Sequence, residues 1–312
     1  MKPMAMFKMV WILGLVVLLA TPAYLAAGAA KKDITGDWQI KADYDGRQIT
    51  SILSLSRDAE GKLKGEWISF FGLSEVNDLK YEGSELSFAY TTRFGENETK
   101  TKFSGKLQKG KLSGTLSSDR GEYKAEGARV AQTPAPVGNW DMKVKLGDRE
   151  FNAVLSIKAD EKGKLTAGWK SEVGEHEITN VKFKGGKLTF DRKSKIQDQD
   201  WASTFEGTIK GQALTGKFKA EQGEMSAEGK RVGAAVIGRW DLEIASDSGS
   251  RKQLLKINPD LSAMYGPIAI GKIDLDNDKV AFKASTQSGD QNYEISFAGR
   301  VDGKKLTGEL TT

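Results

Sequence analysis

Between residues 36 and 130 apolar and polar side chains alternate with a period of two, in short runs broken every eight to twelve residues by turn formers. Alternation of this kind places one row of side chains in a core and the other in water, the pattern of half-buried strands. The runs are Trp38 to Tyr44, Gln48 to Arg57, Lys62 to Phe71, Glu75 to Tyr81, Glu85 to Arg93, Thr99 to Gln108, Lys111 to Ser118 and Glu122 to Val130, which predicts eight strands. The connections Asp58-Ala59-Glu60-Gly61, Glu82-Gly83-Ser84, Lys109-Gly110 and Arg120-Gly121 put glycine where hairpins need a positive φ. Hairpins throughout imply an antiparallel meander.

One face of the meander carries Trp38, Ile40, Ala42 and Tyr44, then Ile49, Ser51, Leu53 and Leu55, then Leu63, Gly65, Trp67, Ser69 and Phe71. The opposite face carries Lys41, Asp43, Lys62, Lys64, Glu66, Lys100, Lys102 and Lys106, so it is expected to face water. That argues against a membrane-spanning barrel, whose outer band would be apolar. Glycines inside strands (Gly65, Gly105, Gly114, Gly127, then Gly207, Gly216 and Gly229) fit the coiling of a small barrel, with room for a ligand against bare backbone as the other reading.

The whole pattern recurs. Gly36-Asp37-Trp38, Gly138-Asn139-Trp140 and Gly238-Arg239-Trp240 open three copies 102 and 100 residues apart. Residues 36–129 align without a gap on 138–231, with 28 identities in 94 positions. This regularity indicates duplication of one folding unit. The third copy reaches Phe297-Ala298-Gly299 eight residues early, and its final Arg would fall near residue 323, so its closing strand is expected to be missing and to leave an open edge. Continuation of the natural chain past Thr312 is favoured over a partner that donates the strand. The expected domains are 36–130, 137–232 and 237–312, joined by the short linkers Ala131 to Pro136 and Val232 to Ile237 as a string of three beads.

Copies one and two end in Glu126-Gly127-Ala128-Arg129 and Glu228-Gly229-Lys230-Arg231. With the opening Gly-x-Trp, this resembles the lipocalin and related calycin barrels. The resemblance implies an all-β chain of three tandem antiparallel up-and-down barrels of about eight strands each, the third incomplete. It further implies barrel closure by Trp38 with Arg129 and by Trp140 with Arg231, Trp240 being the third opening Trp.

Ahead of the repeats, Lys2 and Lys8, the apolar run Val10 to Ala20 and the small residues ending in Ala27-Gly28-Ala29 follow the order of a secretory signal peptide, residues 1–29. The chain is therefore expected to be exported, periplasmic or secreted. The alternative is a membrane anchor, since Met9 to Ala30 is uncharged. There is no cysteine, so disulfides, thiol chemistry and thiolate metal sites are excluded. Removing Lys2 and Lys8 leaves 45 basic against 42 acidic residues, interleaved, which does not suit a nucleic-acid binder.

Chemistry is sparse. His176, the one histidine, lies between Glu175 and Glu177 in an expected hairpin turn, where copy one has Ser74. Asp274-Leu275-Asp276-Asn277-Asp278 starts like a calcium loop but has Lys279 in place of the required Gly and Ser285 in place of the bidentate Glu, so an acidic hairpin is expected. Asp198 and Asp200 sit in a variable connection. Asn97-Glu98-Thr99 fits a glycosylation sequon. No catalytic, cofactor or metal residue is expected. The chain reads as a non-catalytic binding or spacer array, with a small apolar or glycan ligand meeting the inward aromatics Trp67, Trp169 and Tyr265. The alternative is the accessory region of an exported hydrolase with a catalytic domain beyond residue 312.

Overall fold

In the computed structural model the alternation of the first copy becomes eight strands: β1 (Gly36–Tyr44), β2 (Arg47–Arg57), β3 (Leu63–Ser69), β4 (Gly72–Glu82), β5 (Glu85–Phe94), β6 (Asn97–Gln108), β7 (Lys111–Ser118) and β8 (Gly121–Arg129). The structure describes residues 33–311 except 45, 95–96, 173, 197–198, 247–248 and 289–290. The expected signal peptide, Asp198 and Thr312 therefore lie outside the described residues. Each strand of the first copy pairs antiparallel with the next, and β8 returns to β1 with Trp38 opposite Arg129, closing a barrel. Inward side chains such as Trp38, Leu53 and Leu86 lose essentially all contact with water. A buried side chain of this size contributes about 1.5–3 kcal/mol, so core packing holds the barrel without disulfides.

The second copy builds β9 (Gly138–Leu146), β10 (Arg149–Ala159), β11 (Leu165–Ser171), β12 (Glu175–Lys184), β13 (Lys187–Ile196), β14 (Gln199–Lys210), β15 (Ala213–Ala220) and β16 (Gly223–Arg231). Its ladder runs β11-β10-β9-β16-β15-β14-β13-β12, again with Trp140 opposite Arg231. This barrel is nearly closed: β11 and β12 are its two ends and, among the described residues, share no ladder.

The third copy departs further. Strands β17 (Gly238–Ser246), β18 (Gly249–Ile257), β19 (Ala263–Tyr265) and β20 (Ile268–Ile270) form one four-stranded sheet, and β21 (Asp274–Asp276), β22 (Lys279–Ser288), β23 (Gln291–Asp302) and β24 (Lys305–Thr311) form another. The sheets share one core that includes Leu255, Tyr265, Phe282 and Phe297. The split falls where β4 and β12 carry bulges, with Asp78 (φ 51°) and Asn180 (φ 55°) in the left-handed region. In the shorter third copy this bulge has become a break between β20 and β21. Within this connection the Ile273 amide donates to the Leu261 carbonyl, in the turn before β19, at 2.9 Å. Among the described residues, strand β17 has a ladder partner only in β18, and β24 only in β23. Trp240, Leu242 and Ile244 on β17 are consequently half-buried, whereas their counterparts Trp38, Ile40 and Ala42 are buried. The acidic hairpin at Asp274 to Asp278 is present, with Asp276 facing Lys279 across a two-residue turn.

Three facing pairs of mid-strand glycines each seat a phenylalanine ring. Gly207 and Gly216 face each other across β14 and β15, and the Phe205 ring lies over both. A Cβ added at Gly216 would sit 2.6 Å from the Gly207 Cα and 2.7 Å from the Phe205 ring. Gly105 and Gly114 under Phe103, and Gly299 and Gly308 under Phe297, repeat the seat in the other copies.

The repeats are not separate beads, because the third folds back on the first. Ile52 and Ile68, on the outer face of the first barrel, are buried against Leu254 of β18, with Leu73, Val130 and Met264 around them. Polar contacts surround this cluster. The Arg239 guanidinium donates to both Glu66 oxygens at 2.6 and 2.9 Å, Lys256 meets Asp37 at 2.6 Å, and the buried Gln253 amide donates to the Ser69 carbonyl at 3.0 Å. Burial opposes ionisation of Asp37, but Lys256, the Ser54 hydroxyl and Arg239 overcome it and hold its carboxyl below the usual range.

Candidate functional site

Each of the first two barrels is sealed at one end and open at the other. At the sealed end Arg129 lies over the Trp38 ring, 4.4 Å from its centre, and donates to the Thr35 carbonyl. Arg231 lies 4.0 Å over Trp140 and donates to the carbonyls of Val137 and Ala135. Each indole N–H is held by the carbonyl four residues earlier, Ile34 and Pro136. A guanidinium on an indole face adds about 0.5–2 kcal/mol by cation–π attraction. In the third copy Trp240 keeps its hydrogen bond to Val236, and among the described residues no cation lies over its ring.

At the opposite end, the strand termini leave room inside. The first barrel holds a cavity of about 750 Å³ between the ends of β1, β3, β5 and β7 and the starts of β2 and β6. Its wall includes Trp67, stacked on Tyr90 at 4.4 Å, together with Tyr44, Ser51 and Thr101. Burial, and then the nearby Tyr44, push the Tyr90 phenol well up, so it remains a neutral donor at physiological pH. The second barrel has a cavity of about 450 Å³ at the equivalent end, with Trp169 in its wall.

Trp67, Trp169 and Tyr265 prove to be one structural position, paired across the ladder with Leu53, Leu155 and Leu255. The first two line cavities. Tyr265 is packed in the third core, its ring centre 6.1 Å from that of Phe282. The mouth of the third repeat is approached instead by Phe70, from the two-residue turn between β3 and β4, which packs on the third core and lies 5.9 Å from Tyr293.

Two residues of the second cavity were not legible as site residues. His176 is not in a turn. It is the second residue of β12 and lines the cavity, its Nε2 2.8 Å from the Ser171 hydroxyl and its Nδ1 2.8 Å from the Ser194 hydroxyl. Since Ser171 ends β11 and Ser194 lies on β13, the imidazole links side chains across the seam where β11 and β12 share no backbone ladder. Arg192 stands where the first barrel has Tyr90. Its guanidinium lies 5.0 Å over Trp169 and 3.9 Å over Phe218, and its Nε is 3.4 Å from the Ser203 hydroxyl. Burial pulls its pKa down to about 10, which still leaves it charged at neutral pH. Among the described residues it makes no ion pair with a carboxylate.

The remaining sequence candidates do not converge. Asp200 is on β14 at the second barrel's outer wall, and Asn97 begins β6 at the mouth of the first cavity. No cluster of three metal-ligating side chains exists among the described residues.

No family model matches the chain, and neither does any curated protein. Among solved structures, a Bacteroides fragilis protein described as a "putative outer membrane protein" is 12% identical, with a TM-score of 0.25 over 63% of this chain and 96% of its own. A Nostoc punctiforme protein of unknown function from the DUF3598 family is 13% identical, with a TM-score of 0.14 over 89% and 94% of the two chains.

Proposed function

We propose that this chain is a non-catalytic, extracytoplasmic binding array whose first two barrels each admit a small, largely apolar molecule through the mouth opposite the Trp–Arg end. One observation carries the reading. Six large hydrophobic side chains are exposed among the described residues, and five of them ring the two mouths: Ile49 and Phe71 at the first, Leu146, Phe151 and Trp201 at the second. Exposed apolar side chains gathered around a concavity are the signature of an entry site, whereas a spacer would scatter them. The hydroxyls of Ser51, Thr101, Ser194 and Ser203 within the walls supply the few polar contacts that orient a ligand. Export rests on the sequence of residues 1–29, and the charged outer faces support a barrel that works in water.

Titration with the neutral fluorophore N-phenyl-1-naphthylamine tests this. Saturable enhancement is expected, reduced in part by Phe71→Ser and in part by Trp201→Thr, the latter installing the residue of the first barrel, Thr99. A flat titration, or enhancement indifferent to both substitutions, would instead favour the spacer.

A further inference from the structure

The two cavities share a scaffold but not their chemistry. At the position that holds a neutral phenol in the first barrel, Tyr90, the second holds the guanidinium of Arg192. That group lies over two aromatic rings that pack edge to face, with one long hydrogen bond from Nε and, among the described residues, no carboxylate partner. Arginine has five donors, so most of this fork is available to an acceptor inside the cavity. Its surroundings suit an anion. The Ser194 and Ser203 hydroxyls and the His176 ring lie on the same wall, and aromatic and aliphatic side chains continue toward the mouth. Carboxylates do occur at the rim. Glu150 is engaged by Lys143 at 2.9 Å and Lys145 at 3.5 Å, and Glu172 is exposed with Arg149 also at the rim.

Resting on the binding reading above, we infer that the second barrel selects amphipathic monocarboxylates, with the carboxylate received by Arg192 and Ser203 and the apolar body lying along Trp201, Phe151 and Leu146. The first barrel, with Tyr90 at this position, selects neutral ligands. A carboxylate accepts two parallel N–H bonds from a guanidinium, and such charge-assisted pairs are about twice as strong as neutral ones.

The test uses three probes with one apolar body, namely decanoate, decanol and decylamine, titrated calorimetrically into the full chain. Decanoate is expected to bind the second barrel about tenfold to hundredfold more tightly than decanol, the range that hydrogen bonds to a charged group provide. Decylamine is expected to be excluded. Arg192→Tyr installs the residue that the first barrel carries at this position, so it should fold. It should abolish the preference for decanoate while decanol binding remains, and Arg192→Lys should restore part of the preference. Equal affinity for decanoate and decanol, or a preference that survives Arg192→Tyr, would overturn the carboxylate assignment and leave the binding reading standing. Failure of all three probes together with a flat naphthylamine titration would overturn both.

Discussion

Replacing Ile68 with Lys should detach the third repeat from the first while leaving the first barrel folded. Ile68 is fully buried, yet it lies on the outer face of β3, so its environment is supplied by Leu254, Ile52 and their neighbours across the contact. Losing its burial costs about 1.5–3 kcal/mol, and forcing an ammonium into the cluster adds several kcal/mol of desolvation. The partly exposed ion pairs nearby, Arg239 with Glu66 and Lys256 with Asp37, contribute only about 0.2–1 kcal/mol each and do not offset that loss. The second copy carries Lys170 at the equivalent position, exposed to water, so a lysine there is compatible with the barrel itself. Small-angle scattering should show a larger radius of gyration and a more extended profile for I68K, with tryptophan emission from the first barrel unchanged. Lys170→Ala is the control and should leave scattering as it was. If I68K scatters like the parent protein and melts at the same temperature, the contact is not held by this cluster and the reasoning fails.

Three further outcomes follow from the same geometry. Gly216→Ala places a methyl against the Gly207 backbone and the Phe205 ring, and should cost about 1–3 kcal/mol as overpacking, visible as a lowered calorimetric transition; an unchanged or raised transition would show that the ring shifts freely. The Asp37 carboxyl is held below its usual range, so its stabilising contribution is fully present above the unfolded-state pKa near 4 and is lost as the pH falls through the folded value. Acidification below about pH 4 should therefore loosen the contact between the first and third repeats, measured by scattering, and Asp37→Asn should remove that part of the pH dependence. A synthetic peptide of residues 223–232, the closing strand of the second barrel, should pair with the open edges of β17 and β24 and place its Arg on Trp240. Its emission should change on addition, and the same peptide with Ala for that Arg should bind more weakly; no response to either peptide would show that the edges do not accept a strand.

Strand positions in the first two copies were readable because their alternation is long, uniform and punctuated by glycines with positive φ such as Gly61, Gly83 and Gly110. What escaped reading obeyed the same alternation with unexpected residue types. Counting by two from Leu188 and Phe190 puts Arg192 and Ser194 inside the second barrel, but a charged residue is assigned outward by default. His176 looked like a turn residue because glutamates flank it, although their side chains point outward from β12 while the imidazole points in. The docking surface was hidden for the converse reason. Ile52 and Ile68 occupy outward positions, and outward apolar residues pass as ordinary surface unless the copies are compared. The second copy has Val154 and Lys170 there, with Gly168 and Asn139 in place of the ion-pairing Glu66 and Asp37.

That comparison assigns different work to three copies of one scaffold. In the third, the residue equivalent to the cavity tryptophans is a core tyrosine, Phe70 of the first repeat packs on the core, and β18 is engaged by the first barrel's outer wall. Its inward positions are thus committed to packing. The first barrel uses its outer face for that contact and keeps its interior roomy, lined by the Trp67 and Tyr90 rings and hydroxyls. The second has an outer wall at Lys170 that could not dock the third repeat in the same way, and its interior carries the charge. Gly72 shows how tightly the first and third copies are matched, since a Cβ there would lie 2.8 Å from the Lys252 carbonyl oxygen of β18. The turn beside it places Phe70 on the third core and Phe71 at the mouth of the first cavity. A ligand held against Phe71 therefore touches the segment that docks the third repeat, and by reciprocity any effect of binding on docking is matched by an equal effect of docking on affinity.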